Sequence, residues 1–228
     1  MSNLCIITAR GGSKRIPRKN IKDFLGKPII AYSIITALES GLFEEVMVST
    51  DDEEIAEISR RYGAAVPFMR SEETSNDHAT TREVLQEVLD RYAERGKTFD
   101  YFSCIYPTAP FITSQRLVQA FHMLEESDAD EIVSVTRFSY PPQRAYVVSE
   151  GYLVYQYPQY ANARSQDLES VYHDCGQFYF YRTDSFRGSG IEKVIPLEIP
   201  EEEVQDIDNL SDWKLAELKY TMLHMEIS

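Results

Sequence analysis

Cysteine is scarce in this chain of 228 residues, with three residues at positions 5, 104 and 175. An odd, scattered set supports neither a disulfide framework nor a cysteine metal cluster. Cys5 and Cys104 sit in apolar, strand-like runs and read as buried thiols. Cys175 has no base arranged beside it for a thiol nucleophile. Histidine is equally sparse, and His78, His122 and His224 have no partners at metal-ligand spacing, so they read as surface residues. No apolar run approaches the ~18 residues needed to cross a bilayer, and the opening residues lack the charged and apolar regions of a signal peptide. A soluble protein in a reducing cytoplasm is the expectation, with no membrane partner. Positive charge is also short: 23 Lys and Arg face 37 Asp and Glu, for a net charge of −14. That balance argues against general nucleic-acid binding, which calls for a basic face. Two familiar phosphate-binding signatures are missing as well, Gly-x-x-x-x-Gly-Lys-Ser/Thr and Gly-x-Gly-x-x-Gly.

Against that acidic background, one stretch reverses the sign. The apolar run Leu4–Thr8 breaks at Ala9-Arg10-Gly11-Gly12-Ser13-Lys14, and five cations fall between Arg10 and Lys19, with Lys22 a sixth. No carboxylate interrupts them before Asp23. Crowded cations repel one another, so such a group at a strand end implies a neutralising polyanion. The Gly11-Gly12 pair lets backbone N–H groups approach a phosphate closely.

The rest of the chain alternates strands and helices. A helix is expected over Pro28–Ser40, closed by Gly41, then a strand over Glu45–Thr50 and a helix opened by Asp51-Asp52-Glu53-Glu54. A short strand over Ala65–Met69 follows, then a polar loop, a helix over about Thr80–Arg95 and a strand over Asp100–Ile105. Pro107 and Pro110 stop that strand. Ser114 opens another helix, and Glu131–Thr136 forms a further strand. The alternation predicts an α/β fold: one Rossmann-like, mostly parallel sheet with helices on both faces, forming a single domain over 1–228. Ligands of such sheets bind at the carboxyl ends of the strands. That places the basic loop, the loop after Thr50 and Tyr106-Pro107-Thr108 around one crevice.

Residues 138–172 break the pattern. They are rich in Tyr, Gln and Pro, with a hairpin over Tyr146–Tyr157 turning at Ser149-Glu150-Gly151. Two readings stand: a projecting oligomer interface, or a locally packed sub-sheet. Strand character returns at Gln177–Arg182 and Lys193–Ile199. A C-terminal helix from Ser211 is expected to turn Trp213, Leu215, Leu218 and Met222 inward.

Asp206-Ile207-Asp208 puts two carboxylates on one side of an extended segment. Oxygen ligands of this kind suit Mg²⁺ that bridges to substrate phosphates, although Asp208 also stands where a helix cap would. The loop Arg70–Thr81 combines an arginine, several hydroxyls and Asp77, suited to a base or ribose edge. Asp77 or Thr80 is equally placed to start the next helix. His173, beside Asp174 and just before a strand, is a candidate substrate wall.

Taken together, Ala9-Arg10-Gly11-Gly12-Ser13-Lys14 with Ile16-Pro17-x-Lys19-Asn20 resembles the opening signature of the acylneuraminate cytidylyltransferases. The likeness continues through Ser49-Thr50-Asp51, Arg70 with Ser75-x-Asp77-x-Ala79-Thr80-Thr81, Pro107-Thr108-x-Pro110, Arg164-x-Gln166 and Asp206-Ile207-Asp208, covering nearly the whole chain. It implies a Mg²⁺-dependent reaction of CTP with a nine-carbon keto-acid sugar, and a homodimer formed through about 138–172. By the same resemblance, Arg10, Gly11, Gly12, Ser13, Lys14 and Lys19 hold the triphosphate, and Asn20, Arg70, Thr80 and Thr81 face the cytidine. Asp206 and Asp208 bind metal, while Arg10, Lys19 and Asp208 carry the chemistry. The sugar side falls to Tyr106, Arg164, Gln166, His173, Gln177 and Tyr179.

Two places depart from the sialic-acid members: Tyr106 replaces a Gln before Pro107-Thr108, and Asp174-Cys175-Gly176 replaces an Asn-Gly. With Arg164-Ser165-Gln166-Asp167-Leu168, these residues are most similar to the branch of the family that activates pseudaminic acid for flagellins and surface polysaccharides. A glycosyltransferase also pairs Asp-x-Asp with a nucleotide, but usually mid-chain after a strand. A non-catalytic nucleotide-binding module is the remaining rival.

Overall fold

The computed structural model describes residues 2–188 and 190–225. Its centre is a six-stranded sheet, built from β1 (Asn3–Thr8) outward. After β1 come a 3-10 turn at Lys19–Ile21, a small hairpin of β2 (Asp23–Phe24) and β3 (Lys27–Pro28), α1 (Ile29–Glu39), β4 (Glu45–Ser49) and α2 (Glu53–Arg61). The chain continues with α3 (Glu72–Ser75), α4 (Thr81–Ala93), β5 (Tyr101–Ile105), α5 (Ser114–Glu126) and β6 (Glu131–Arg137). Then follow β7 (Tyr146–Ser149), β8 (Tyr152–Tyr155), β9 (Tyr172–Arg182), α6 (Thr183–Arg187), β10 (Val194–Glu198) and α7 (Leu210–His224). The sheet order is β10-β6-β9-β5-β1-β4. β4, β1 and β5 run parallel, as do β6 and β10, and β9 lies antiparallel between β5 and β6. The mostly parallel α/β sheet expected from the sequence is what forms.

Alternation in β1 decides the layers. Cys5 and Ile7 face a core with Ile30 and Ile34 of α1 and Leu117, Phe121 and Leu124 of α5. Leu4 and Ile6 face the other side, against Leu85, Val88 and Leu89 of α4. Successive side chains on a strand point oppositely, so one apolar run feeds both layers. A third, smaller core joins Ile16 of the basic loop, Phe24, Ile29, Phe111, Ile207, Trp213 and Ala216. This cluster pins the basic loop and the Asp206-Ile207-Asp208 segment to the same place.

Several expectations change. Ala65–Met69 does not form a strand. Only Ala65 bridges Met47, and Pro67, which has no N–H, ends the ladder there. β9 starts well before Gln177: its first half pairs with β6 beyond a bulge, where Val135 faces Asp174 and Val133 faces Tyr179. The Ser134 hydroxyl donates to the Phe178 carbonyl at 2.9 Å and accepts from its N–H at 3.2 Å, satisfying the backbone that the bulge frees. On α7, Trp213 and Ala216 are buried, whereas Leu215, Leu218 and Met222 point outward. The third core sits under the Trp213 face, which also carries Tyr220, so the leucine stripe has no layer to meet.

β7 and β8 form the expected hairpin, turning on Glu150 at φ 51° and Gly151 at φ 85°. It pairs with no strand of the main sheet. Both strands are exposed along their length, Tyr155 alone being half-buried.

Candidate active site

The carboxyl ends of β1 and β5 open into a crevice of about 530 Å³. Thr8, Arg10, Ser13, Lys14, Lys19, Asn20, Tyr106 and Asp208 are among its walls. The crevice joins residues nearly two hundred positions apart, and the geometry shows how. The Lys19 Nζ donates to the Ile207 carbonyl at 2.8 Å, and Arg15 Nη2 lies 2.7 Å from the Asp208 carboxylate. Ile16 and Ile207, both buried in the third core, hold these partners in register. Burial lowers the Lys19 ammonium from its ordinary value, and the charges of Asp208 and Asp206 pull it back up.

The loop is built by contacts that do not face the crevice. Arg18, at φ 56°, turns back to pair with Asp52 and Glu54. Asp52 also accepts from Ile55 N–H and so caps α2. Its hydrogen bond to Arg18, with the α2 amides, holds the Asp52 carboxyl below the usual range. A Cβ on Gly11 would stand 2.6 Å from Asp52 Oδ2, so only glycine permits this approach. The Gly11 amide donates to Asp51 Oδ1 at 2.9 Å, and a Cβ on Gly12 would meet nothing. Gly11 therefore fits the loop against Asp51 and Asp52, while the space beside Gly12 is open. Asn20 is buried and its amide donates to the Arg10 carbonyl at 2.9 Å.

A second cavity, about 220 Å³, adjoins the first and shares Thr8, Arg10 and Asp77 with it. Arg70, Thr74, Ala79 and Thr81 complete much of its wall. Arg70 is buried, donating to Ser49 Oγ at 3.0 Å and to the Ser49 carbonyl at 2.6 Å. Thr81 Oγ1 and the Tyr106 hydroxyl lie 3.3 Å apart, linking this cavity to the larger one. Thr80 does not face it: its hydroxyl accepts from Glu83 N–H and its own N–H donates to the Glu83 carboxylate. Thr80 is the cap of α4, and Asp77 is not.

The cations of the loop are not bare. Asp77 pairs with Arg10 at 2.7 Å and with Lys14, Asp208 takes Arg15, and Asp52 takes Arg18. The sequence argument that crowded cations demand an external polyanion thus holds only in part, since internal carboxylates already face most of them. Arg15 was not singled out from the run of cations, because nothing in its spacing tells which members turn toward an acid.

A family profile described as Cytidylyltransferase matches residues 4–187. The chain belongs to the cytidylyltransferase family. It is 42% identical to a pseudaminic acid cytidylyltransferase of Campylobacter jejuni, over 98% of either chain. It is 32% identical to the CMP-N,N'-diacetyllegionaminic acid synthase of Legionella pneumophila, over 95% of either chain. The fold matches a CMP:2-keto-3-deoxy-manno-octonic acid synthetase complexed with CTP, with a TM-score of 0.73 at 20% identity, covering 99% of this chain and 100% of that one.

The sugar-side residues read from the resemblance to this family do not all converge on the crevice in this chain. Tyr106 lines the crevice, with the Tyr179 ring edge-on behind it at 5.6 Å. The Tyr179 hydroxyl donates to Asp174 Oδ2 at 2.6 Å, whose other oxygen accepts from Gly176 N–H at 2.7 Å. Burial foremost, with that carboxylate contact, pushes the Tyr179 hydroxyl far up, so it stays protonated and remains a donor. Gln177 is buried and donates to the Glu203 carbonyl at 2.6 Å. Arg164 pairs with Asp167 on the surface, Gln166 lines a separate cavity of about 510 Å³ beside Glu198–Glu202, and His173 packs on Phe138 at 4.7 Å.

Among the described residues, no group of three or more His, Cys, Asp or Glu forms a metal cluster. Asp208 lines the crevice, and Asp206, exposed on the other side of buried Ile207, is near enough for its charge to act on Lys19. An oxygen-only pair of that kind fits Mg²⁺, which keeps waters and takes its other ligands from substrate phosphates. Cys175 is a free, buried thiol whose burial pushes it up to about 12, which disfavours the thiolate that a nucleophile needs.

Proposed function

We propose that this cytidylyltransferase joins the cytidylyl group of CTP to the anomeric hydroxyl of pseudaminic acid, releasing pyrophosphate. The carrying observation is the meeting of Lys19 with the Ile207 carbonyl and of Arg15 with Asp208, which sets a cationic loop against a carboxylate pair. The full-length likeness at 42% identity to the Campylobacter jejuni enzyme supports the choice of sugar. Tyr106 and the Asp174–Tyr179 contact support it further, since both stand where the sialic-acid members differ.

Arg10, Ser13, Lys14 and Lys19 grip the triphosphate, while Arg70 and Thr81, in the smaller cavity, face the cytosine with Asn20 behind the loop. The sugar oxygen bonds to the α-phosphorus as the bond from that phosphorus to the bridging oxygen breaks, and the electron pair leaves with pyrophosphate. Arg10 and Lys19 stabilise the charge that spreads over the phosphoryl oxygens. Asp208, within the crevice, is the group placed to take the hydroxyl proton. Asp206 and Asp208 would hold Mg²⁺, which supplies charge neutralisation and orients the phosphates. Fixing two substrates in line contributes much of the remaining acceleration.

The exposed β7–β8 arm supports a homodimer through about 138–172. Three free, buried thiols fit a reducing cytoplasm.

Incubation with CTP, Mg²⁺ and separate pseudaminic, legionaminic and sialic acids tests the whole reading. Pyrophosphate release that needs both sugar and metal, with CMP-pseudaminic acid identified by mass spectrometry, is the expected result. Turnover of only legionaminic or sialic acid overturns the sugar, and CTP uptake without release reduces the protein to a binding module.

A further inference from the structure

Asp77 reaches across the crevice to two cations that lie more than sixty residues earlier in the chain. Its Oδ1 accepts from Arg10 Nη1 at 2.7 Å, and its Oδ2 accepts from Lys14. The carboxylate has no duty in the neighbouring helix, because Thr80 and Glu83 close α4 between themselves. The turn that presents it is built in. Asn76 Oδ1 accepts from His78 N–H at 2.8 Å and from Ala79 N–H at 3.0 Å, while the Asn76 carbonyl accepts from Arg10 at 3.4 Å. Arg10 and Asp77 both belong to the walls of the two adjoining cavities, so their ion pair stands at the boundary between them. The other loop cations are engaged too: Arg15 with Asp208, Arg18 with Asp52 and Glu54, and Lys19 with the Ile207 carbonyl.

We propose that Asp77 is an internal counter-anion of the phosphate cradle, and that it tunes how tightly pyrophosphate-bearing ligands bind. The inference rests on the reading of this crevice as the CTP site. A phosphate chain takes Arg10 and Lys14 by exchange with a carboxylate that already occupies them. Its apparent affinity is therefore reduced by the fraction of molecules in which Asp77 has swung away. Cytidine carries no phosphate and does not compete for these cations. Asp77 thus weakens the binding of CTP and of released pyrophosphate together, which favours product departure as much as it opposes substrate capture.

The test is direct titration of wild-type protein, Asp77→Asn, Asp77→Ala and Asp77→Glu with CTP, inorganic pyrophosphate and cytidine. The neutral variants are expected to bind CTP and pyrophosphate about three- to tenfold more tightly, the range for removing a pair of exposed ion contacts. Cytidine affinity, whose cavity Asp77 also lines, is expected not to tighten, and Asp77→Glu restores wild-type values for the phosphate ligands. A purely structural role for Asp77 has the opposite sign: its neutral variants would bind every ligand more weakly. Asp77→Asn keeps the side chain's shape at an exposed site and carries the measurement if Asp77→Ala does not fold. Unchanged or weaker pyrophosphate binding in Asp77→Asn, with CTP still bound by the wild type, overturns this inference alone. A wild-type protein that binds no CTP overturns the reading of the crevice as well.

Discussion

The basic loop and the β7–β8 arm are both excursions from the sheet, and they finish their chemistry in opposite ways. The loop carries charges that find partners within the chain: Arg10 with Asp77, Arg15 with Asp208, Arg18 with Asp52. Its one large apolar residue, Ile16, is fully buried in a core shared with Ile207 and Trp213. The arm carries apolar and aromatic groups that find few partners. Val148 is 73% exposed, Leu153 69% and Tyr152 76%, and the Tyr146 and Tyr155 rings pack on one another at 4.4 Å. A surface whose charges are internally matched is ready to exchange them for a ligand. A surface whose apolar groups are unmatched is stabilised by covering them with another apolar surface. The loop's charges are thus largely matched within the chain, whereas the arm's apolar groups are not.

Breaking the crevice gives the largest effect. Arg10→Ala or Asp208→Asn is expected to lower kcat by about 10²- to 10³-fold, the usual size for losing one electrostatic stabiliser, with the melting temperature little changed. Steady-state pyrophosphate release with circular-dichroism melts checks both halves, and near-wild-type turnover removes these residues from the mechanism. The next effect is on stability. Ile207→Ala empties a position that is 1% exposed and ties Asp206 and Asp208 to the loop's own core. It is expected to cost about 2–5 kcal/mol by urea denaturation. On the proposed metal role of the flanking carboxylates, the variant is also expected to need more Mg²⁺ for half-maximal rate.

On the arm the expected changes are reversed. Tyr152→Glu with Leu153→Glu replaces exposed apolar groups by charges and leaves the fold of the monomer within about 0.5 kcal/mol. On the proposed homodimer, the dissociation constant read by analytical ultracentrifugation is expected to rise about thirtyfold or more, the size of one central interface contact. A dimer of unchanged strength shows that the arm is covered by something else, or by nothing.

Acid acts on the loop through Asp52. Arg18 holds the Asp52 carboxyl below its ordinary value. That contribution is fully present above the unfolded carboxylate pKa of about 4, and it is lost as pH falls through the lower folded value. Urea midpoints should therefore fall below pH ~4 in the wild type. Asp52→Asn should flatten that limb and leave it less stable at neutral pH.

Much of this arrangement was legible in the sequence, and the parts that were not have physical reasons. Parallel strands buried on both faces wrote themselves as apolar runs, and Thr80, Gly41 and Glu150-Gly151 marked ends and turns by their chemistry. The meeting of residues 10–20 with 206–208 was legible only through motif resemblance, because a contact between Lys19 and the Ile207 carbonyl leaves no local trace. The approach of Asp52 to Gly11 was not legible either, because glycine permits close approach by anything and its spacing does not say by what. Charge counting found the cations but not their acids, because Asp77 and Asp208 sit far along the chain.

The smallest expected effect lies on α7, where the apolar pattern pointed to the wrong face. Leu218 and Met222 are 63% and 73% exposed, while Ala216, between them and Trp213, is fully buried. Periodicity favoured the larger residues, yet a small side chain is what lets α7 approach the core under Phe24 and Trp213, whose rings meet edge-on at 5.6 Å. Leu218→Gln removes apolar surface that the fold never covered, so its stability stays within about 0.5 kcal/mol of wild type. Ala216→Leu forces a larger group into a packed site and costs about 1–3 kcal/mol. Urea melts of the two variants rank the faces directly. If Leu218→Gln destabilises as much as Ala216→Leu, the leucine stripe is buried in solution, and α7 joins the arm as a surface that another chain covers.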